Sequence, residues 1–201
     1  MWRMGIGERM TADETMTATE NKEAEMTKPD MTDDATKATQ ATMLRLEPGV
    51  KAPDFTLPAI GADGEETQIT LSRTLEKQGK MLLYFYPAAM TPGCTTQACD
   101  FRDNIARLSS LGYTVLGVSK DPLDKLRRFA ERDHLTFALL SDVGLTVHRL
   151  YSAYGEKNSY GRTVTGVLRS TFAIDRDGTI TLARYNVRAK GHVDSLLKRL
   201  S

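Results

Sequence analysis

Residues 81–102 read MLLYFYPAAMTPGCTTQACDFR. The first six form a continuous apolar run of strand length, and a loop that contains proline and glycine follows them. From Cys94 to Leu111 apolar residues recur at roughly helical spacing, which predicts a helix that opens at or beside Cys94. A buried strand, a short loop and a helix are typical of an α/β sheet, and ligands usually bind at the carboxyl ends of its strands.

The same alternation of strands and helices extends in both directions from this stretch. Two hairpins are predicted near the ends of the globular part, around the turn signals Gly61–Gly64 and Asp175–Gly178. The remaining predicted elements are the strands Tyr113–Ser119 and Thr136–Leu140 and the helices Asp121–His134, Leu145–Tyr151 and His192–Leu200. The predicted fold class is therefore α/β, with a mixed central sheet flanked by helices.

The composition is that of an ordinary globular protein, with 201 residues, 40% hydrophobic residues and a formal net charge of +1. A near-neutral balance argues against a nucleic-acid or anionic-membrane partner. The apolar runs are far shorter than the roughly 20 residues that cross a bilayer. No export signal is recognisable, so we expect a cytoplasmic protein.

Residues 1–43 differ in kind from the rest of the chain. Met, Thr, Ala, Asp, Glu and Lys dominate there, and almost no branched aliphatic or aromatic side chains are present to bury. Such a segment cannot offset the conformational entropy lost on ordering. We predict a disordered, low-complexity tail over 1–43 and one folded domain over 44–201.

Cys94 stands where a reactive cysteine is expected. A helix N-terminus offers unpaired N–H groups and partial positive charge, which favour the thiolate, the nucleophilic form of cysteine. A core-filling role is a poor alternative for a residue that follows Pro92-Gly93 at a strand-to-helix junction. For Cys99, within the helix, a small buried hydrophobe and a second reactive thiol are both open.

The spacing of the two cysteines predicts a conformational change if they form a disulfide. Five residues of helix separate Cys94 and Cys99 by a rise of about 7.5 Å and a rotation of about 140°. A disulfide needs Cα atoms within about 7 Å. The first turns of the helix would therefore have to unwind before the bond can form.

A metal site has little support in the sequence. The cysteine spacing is not C-x2-C, and no histidine lies near either cysteine in the sequence. For His134, His148 and His192 we expect surface or capping roles.

The stretch YFYPAAMTPGCTTQACDFRD resembles the active-site segment of peroxiredoxins, and its C-x4-C spacing resembles the bacterioferritin comigratory protein (PrxQ) subfamily. Four further segments resemble the family in the same order, so the resemblance covers about residues 44–201. They are PGVKAPDFTLP, GVSKDPLDKLRRFAERDHLTFALLSD, YGEKNSYGRTVTGVLRSTFAIDRDGTI and AKGHVDSLLKRL.

The resemblance implies a thioredoxin-like fold and a role for each matched residue. Cys94 would attack the peroxide and become a sulfenic acid, with Thr91 and the Cys94 N–H binding the peroxide oxygens. Pro87 would shield the pocket from water, and Arg169 would stabilise the thiolate and the leaving oxygen. Arg102 is the rival arginine, which we interpret as a charge on the helix face.

The resemblance also implies partners for the reaction. Cys99 would resolve the sulfenic acid as an intramolecular disulfide that thioredoxin, or a similar dithiol reductant, reopens. Hydroperoxides would be the substrates, neither organic cofactor nor metal would be needed, and the protein would act as a monomer. Two alternatives remain: a peroxide sensor that passes its disulfide to a client protein, and a disulfide oxidoreductase, which would usually carry C-x2-C.

Overall fold

The computed structural model describes residues 45–159 and 162–200, so the predicted tail over 1–43 lies outside the described residues. The strands are β1 (Thr56–Ile60), β2 (Glu66–Thr70), β3 (Lys80–Phe85), β4 (Tyr113–Ser119), β5 (Ala138–Ser141), β6 (Tyr154–Ser159), β7 (Arg162–Val167), β8 (Ser170–Ile174) and β9 (Ile180–Arg184). The helices are α1 (Leu71–Gln78), α2 (Pro92–Asp103), α3 (Ile105–Ser110), α4 (Leu123–Arg132), α5 (Thr146–Leu150) and α6 (His192–Leu200).

The main sheet is mixed, as predicted, with the strand order β2-β1-β5-β4-β3-β8-β9. Strands β3, β4 and β5 run parallel, whereas β1 and β8 join this centre antiparallel to β5 and β3. The two predicted hairpins are β1–β2 and β8–β9. Because β3 has β4 on one side and β8 on the other, the loop after β3 emerges from the middle of the sheet.

Both faces of the sheet are covered, and alternate residues of β3 serve the two sides. Leu82 and Tyr84 pack in one apolar cluster with buried residues of α2, α3, α4 and α6. Met81, Leu83 and Phe85 pack in a second cluster with buried residues of α1 and α5. Burial on both faces explains why β3 is an uninterrupted apolar run rather than an alternating one.

Several predicted boundaries were wrong, each for a local reason. The predicted helix Cys94–Leu111 is divided at Asn104 into α2 and α3. Pro122 caps α4 instead of lying in its first turn, because its extended backbone (ψ 159°) lies outside the helical range. Strand β2 ends at Thr70, and α1 begins with the next residue, Leu71.

One helix and one two-stranded hairpin were not predicted at all. Helix α1 buries only Leu71 and Leu75, which is too sparse a pattern to reveal its period. The hairpin β6–β7 has the sequences YGEKNS and RTVTGV, whose glycines and polar residues obscure a strand signal. Within the described residues, no helix is long and apolar enough to cross a membrane.

Gly117 of β4 lies directly under the buried ring of Tyr84. A Cβ at this position would lie 2.9 Å from three atoms of the Tyr84 side chain, the ring atoms Cε1 and Cζ and the hydroxyl oxygen Oη. The ring cannot move away freely, since it stacks on Phe101 with centroids 4.5 Å apart. We expect Gly117→Ala to lower the free energy of unfolding by about 1–3 kcal/mol, as overpacked cores do.

Urea unfolding followed by circular dichroism would measure this loss. Gly144→Ala is the matched control, because its Cβ would meet only the Thr146 hydroxyl at 3.6 Å, an ordinary contact. Its unfolding free energy should stay within about 0.5 kcal/mol of the wild type. Equal urea midpoints of unfolding for the two variants would show that the core around Tyr84 can accommodate the extra methyl group.

Candidate active site

Cys94 is the third residue of α2, directly beyond the loop that follows β3. Its side chain is buried, with 2% of its surface exposed. Thr91 precedes the helix but makes no side-chain capping bond to it; its hydroxyl donates to the Ala88 carbonyl at 3.0 Å instead. The N–H groups of the first helical turn, including that of Cys94, therefore lack a capping side chain and can bind a ligand.

Arg169 approaches the Cys94 sulfur from a part of the chain 75 residues away. Its Nη2 donates to Cys94 Sγ at 3.2 Å. Arg169 lies between β7 and β8, and its backbone carbonyl accepts the Val187 N–H at 2.9 Å. A fixed guanidinium beside the sulfur stabilises negative charge on it.

Gln97 is a site residue that the sequence interpretation missed. It is fully buried, and its Oε1 accepts a hydrogen bond from Arg169 Nη1. The guanidinium is therefore held through its two terminal nitrogens, since Nη1 donates to Gln97 and Nη2 donates to Cys94. The sequence did contain a signal for this residue. Gln97 is three residues after Cys94, so the two side chains share a face of the helix. That face also carries Ala98 and Phe101, and a glutamine is unusual on a buried helix face.

The loop of residues 87–91 brings two more predicted residues to the same end of β3. Pro87 is half-buried at the strand end, and Thr91 is exposed at the start of α2. Between them Met90 has a left-handed backbone, with φ 64°, which is uncommon for a residue other than glycine. The loop beside Cys94 therefore contains a backbone conformation that residues with side chains rarely adopt.

Cys99 is not at this centre. It lies five residues further along α2, half-buried, and both cysteines are free thiols. Burial raises the pKa of Cys99; Arg102 lowers it, and Asp133, Asp103 and Asp100 raise it further. Arg102 donates to the Asp133 carbonyl at 2.6 Å and pairs with Asp103 at 2.8 Å, so its polar contacts are with these two residues and not with Cys94.

Two of the three histidine interpretations were wrong. His148 is fully buried, with Nδ1 2.7 Å from Asp142 Oδ2. His192 is buried with Nε2 2.9 Å from the Thr171 hydroxyl, and burial, with Arg169 and Arg184, lowers its pKa to about 4. Both lie on helices whose apolar faces cover the sheet, which a lone histidine in the sequence does not reveal. Among residues 45–159 and 162–200 no group of three metal-ligating side chains occurs.

Comparison with known proteins fits this geometry. The profile of the AhpC/TSA family matches residues 48–183. The chain belongs to that family. Peroxiredoxin Bcp of Escherichia coli is 44% identical over 156 residues, which cover 77% of this chain and 96% of the relative. A provisionally named peroxiredoxin of Mycobacterium tuberculosis is 51% identical over 157 residues, covering 78% of this chain and 96% of the relative.

Solved structures place this peroxiredoxin in the same group. A cysteine-to-serine mutant of peroxiredoxin Q from Xanthomonas campestris superimposes with a TM-score of 0.65 at 34% identity. The match covers 73% of this chain and 89% of that one. The thioredoxin-like fold and the resemblance to the Bcp/PrxQ peroxiredoxins are thereby confirmed, and membership of the family supports a thiol peroxidase as the class of enzyme.

Proposed function

We propose that the protein reduces hydroperoxides through Cys94, with Cys99 as the thiol that resolves the oxidised intermediate. The observation that supports this most directly is the 3.2 Å contact between Arg169 Nη2 and the buried Cys94 sulfur. A cation fixed beside a cysteine at an uncapped helix N-terminus suits both a thiolate nucleophile and an anionic leaving group.

In the first step the Cys94 thiolate attacks the terminal oxygen of the hydroperoxide. An S–O bond forms, the O–O bond breaks, and the sulfur loses two electrons to become a sulfenic acid. The leaving alkoxide, or hydroxide, takes a proton and departs as alcohol or water. Arg169 stabilises the negative charge first on sulfur and then on the leaving oxygen.

The loop residues would hold the peroxide in line with the sulfur. The Thr91 hydroxyl donates its hydrogen bond to the Ala88 carbonyl, so its oxygen remains available to accept a hydrogen bond from the peroxide O–H. The uncapped N–H of Cys94 would donate to the other side of the peroxide. Pro87 would limit the access of water, which strengthens these contacts.

In the second step the Cys99 thiol displaces hydroxide from the sulfenic acid, giving a disulfide and water. A dithiol reductant, which we propose is thioredoxin, then reopens the disulfide by exchange. Because both thiols lie in one chain, a monomer can complete the cycle. Dependence on a dithiol reductant suits a reducing compartment, so we retain the cytoplasm as the proposed location.

Peroxide-dependent oxidation of NADPH with thioredoxin and its reductase tests this function. The wild type should turn over; Cys94→Ser should be inactive, and Cys99→Ser should lose turnover but still consume one equivalent of peroxide. Dithiothreitol in place of thioredoxin separates the peroxidase reaction from the identity of the reductant.

Three outcomes would contradict parts of the proposal. A wild type inactive with every hydroperoxide and both reductants would contradict the peroxidase. An unaffected Cys99→Ser variant would assign resolution to another thiol. A stable mixed disulfide with one client protein, with little turnover, would favour the sensor instead.

A further inference from the structure

Asp121 is a buried carboxylate behind the loop of residues 87–91. It lies two residues beyond the end of β4 and is 6% exposed. Its Oδ2 accepts the backbone N–H of Ala89 at 2.6 Å and the Ser119 hydroxyl at 3.0 Å. Its Oδ1 pairs with Lys125 Nζ at 2.7 Å. The carboxylate therefore joins the carboxyl end of a central strand to the loop beside Cys94.

The hydrogen bond from the Ala89 N–H to Asp121 lies beside the least favourable backbone conformation of the loop. Ala89 lies next to Met90, whose left-handed backbone is unfavourable for a side-chain-bearing residue. On the other side, Ala88 supplies the carbonyl that orients the Thr91 hydroxyl. Hydrogen bonds to a charged acceptor are roughly twice as strong as neutral ones, so Asp121 is a firm tether for this turn.

The tether has a rigid base of its own. The Asp121 carbonyl accepts the Ser141 hydroxyl at 2.7 Å, and the Ser119 carbonyl accepts the Asp142 N–H at 2.8 Å. The first contact is with the last residue of β5, and the second is with the residue that follows β5. The carboxylate is thereby fixed on two parallel strands, and the loop takes its position from the sheet.

We propose that Asp121 is a positioning residue for hydroperoxide reduction, acting through the Ala89 N–H to hold Thr91 and Pro87 in place. This inference rests on the proposed function. Asp121 does not touch the sulfur or Arg169. The Arg169 contacts with Cys94 and Gln97 do not involve the loop, so the nucleophile should remain activated when the tether is removed.

Because the loop and the Arg169 contacts are independent, two reactions of Cys94 can distinguish a positioning role of Asp121 from a purely structural one. The second-order rate of Cys94 oxidation by hydrogen peroxide depends on the geometry of the loop. Alkylation of Cys94 by iodoacetamide needs the thiolate but none of the peroxide contacts. Both rates are measured on Cys99→Ser protein, so that only one cysteine reacts, and folded protein is verified by circular dichroism.

We expect Asp121→Ala to lower the peroxide rate by about 10- to 100-fold, the cost of a misplacement near 1 Å. The alkylation rate should stay within about twofold, since the Arg169 contact remains. Asp121→Asn keeps an oxygen acceptor for Ala89, so its ratio of peroxide to alkylation rate should fall less. Lys125→Met removes a half-exposed partner and leaves the tether intact, so both rates should stay within about twofold.

Three results would overturn the inference. These are an unchanged peroxide rate in Asp121→Ala, an equal fall of both rates in that variant, or a loss in Lys125→Met as large as in Asp121→Ala. If Asp121→Ala does not fold, the Asp121→Asn variant decides the question. A ratio of peroxide rate to alkylation rate equal to that of the Cys99→Ser parent would then overturn the inference. A parent protein that does not react with peroxide would instead refute the proposed function itself.

Discussion

Replacing Arg169 with alanine is expected to lower kcat/KM for hydroperoxide reduction by about 10²- to 10³-fold while the fold survives. The guanidinium lies 3.2 Å from the Cys94 sulfur and is half-buried, so its charge is only partly screened by water. It meets negative charge both before and after the O–O bond breaks. Its removal should slow the oxidation of Cys94 itself, measured in a single turnover by stopped flow.

Arg169→Lys separates charge from geometry. A lysine keeps the positive charge but has one ammonium nitrogen in place of the two guanidinium nitrogens that contact the Cys94 sulfur and Gln97 Oε1 separately. We expect a rate between those of the wild type and the alanine variant. A lysine variant as slow as alanine would show that the forked geometry, more than the charge, carries the effect.

Arg102→Ala is the matched control, since Arg102 is the other arginine close to the cysteines in sequence. Its contacts are with Asp103 and the Asp133 carbonyl. The single-turnover oxidation of Cys94 should therefore stay near the wild-type rate. If Arg169→Ala reacts at the wild-type rate, or Arg102→Ala loses as much, the role given to Arg169 is wrong.

Oxidation of the wild type by one equivalent of peroxide should unwind the start of α2. Cys94 and Cys99 lie in one continuous helix, where their Cα atoms are about 7.5 Å apart along the axis alone, beyond the limit for a disulfide. Hydrogen exchange across residues 91–103 should therefore rise towards the rate of unprotected chain after oxidation. Mass spectrometry of the reduced and oxidised forms would measure this directly.

Cys99→Ser provides the control for this experiment. It can form the sulfenic acid at Cys94 but not the disulfide, so its helix should keep the protection of the reduced form. Identical exchange in the reduced and oxidised wild type would contradict the unwinding.

The unwinding should also become easier as the pH rises. Burial raises the pKa of Cys99 in the folded helix, whereas in the opened segment it should titrate near the ordinary cysteine value of about 8.5. The raised pKa of Cys99 favours the folded helix fully at a pH below the pKa of Cys99 in the opened segment. This stabilisation of the helix is lost as the pH rises towards the pKa of Cys99 in the folded helix. Disulfide formation should therefore accelerate above about pH 8.5.

The elements that the sequence predicted best are those whose pattern is local. The run from Met81 to Tyr86 and the Pro92-Gly93 junction mark β3 and the start of α2 without any knowledge of the rest of the fold. The hairpin at Gly178 is equally local, because that glycine has φ 83° and its N–H binds the Asp175 carbonyl at 2.9 Å. Helix α1, which buries one narrow stripe, gave no such signal.

The candidate site was predictable only in part, because its contacts join distant parts of the chain. Arg169 lies 75 residues from Cys94, and only the family resemblance singled it out. Gln97 acquires its role from Arg169, and Asp121 acquires its role from Ala89, 32 residues earlier. None of these pairings follows from helical or strand periodicity, since each depends on which strands become neighbours in the sheet.

We expect the interruption at Asn104 to limit how far oxidation of the two cysteines disturbs the protein. The Asn104 N–H and side-chain amide both bind the Asp100 carbonyl, at 3.2 and 2.9 Å, while its own carbonyl starts α3 by accepting the Leu108 N–H at 3.0 Å. One unbroken helix from Cys94 to Leu111 would transmit the loss of its first turns into the packing of Leu108 against the sheet. With the break at Asn104, we expect the unwinding that starts at the first turns of α2 to stop before α3, so that Leu108 keeps its packing in the core.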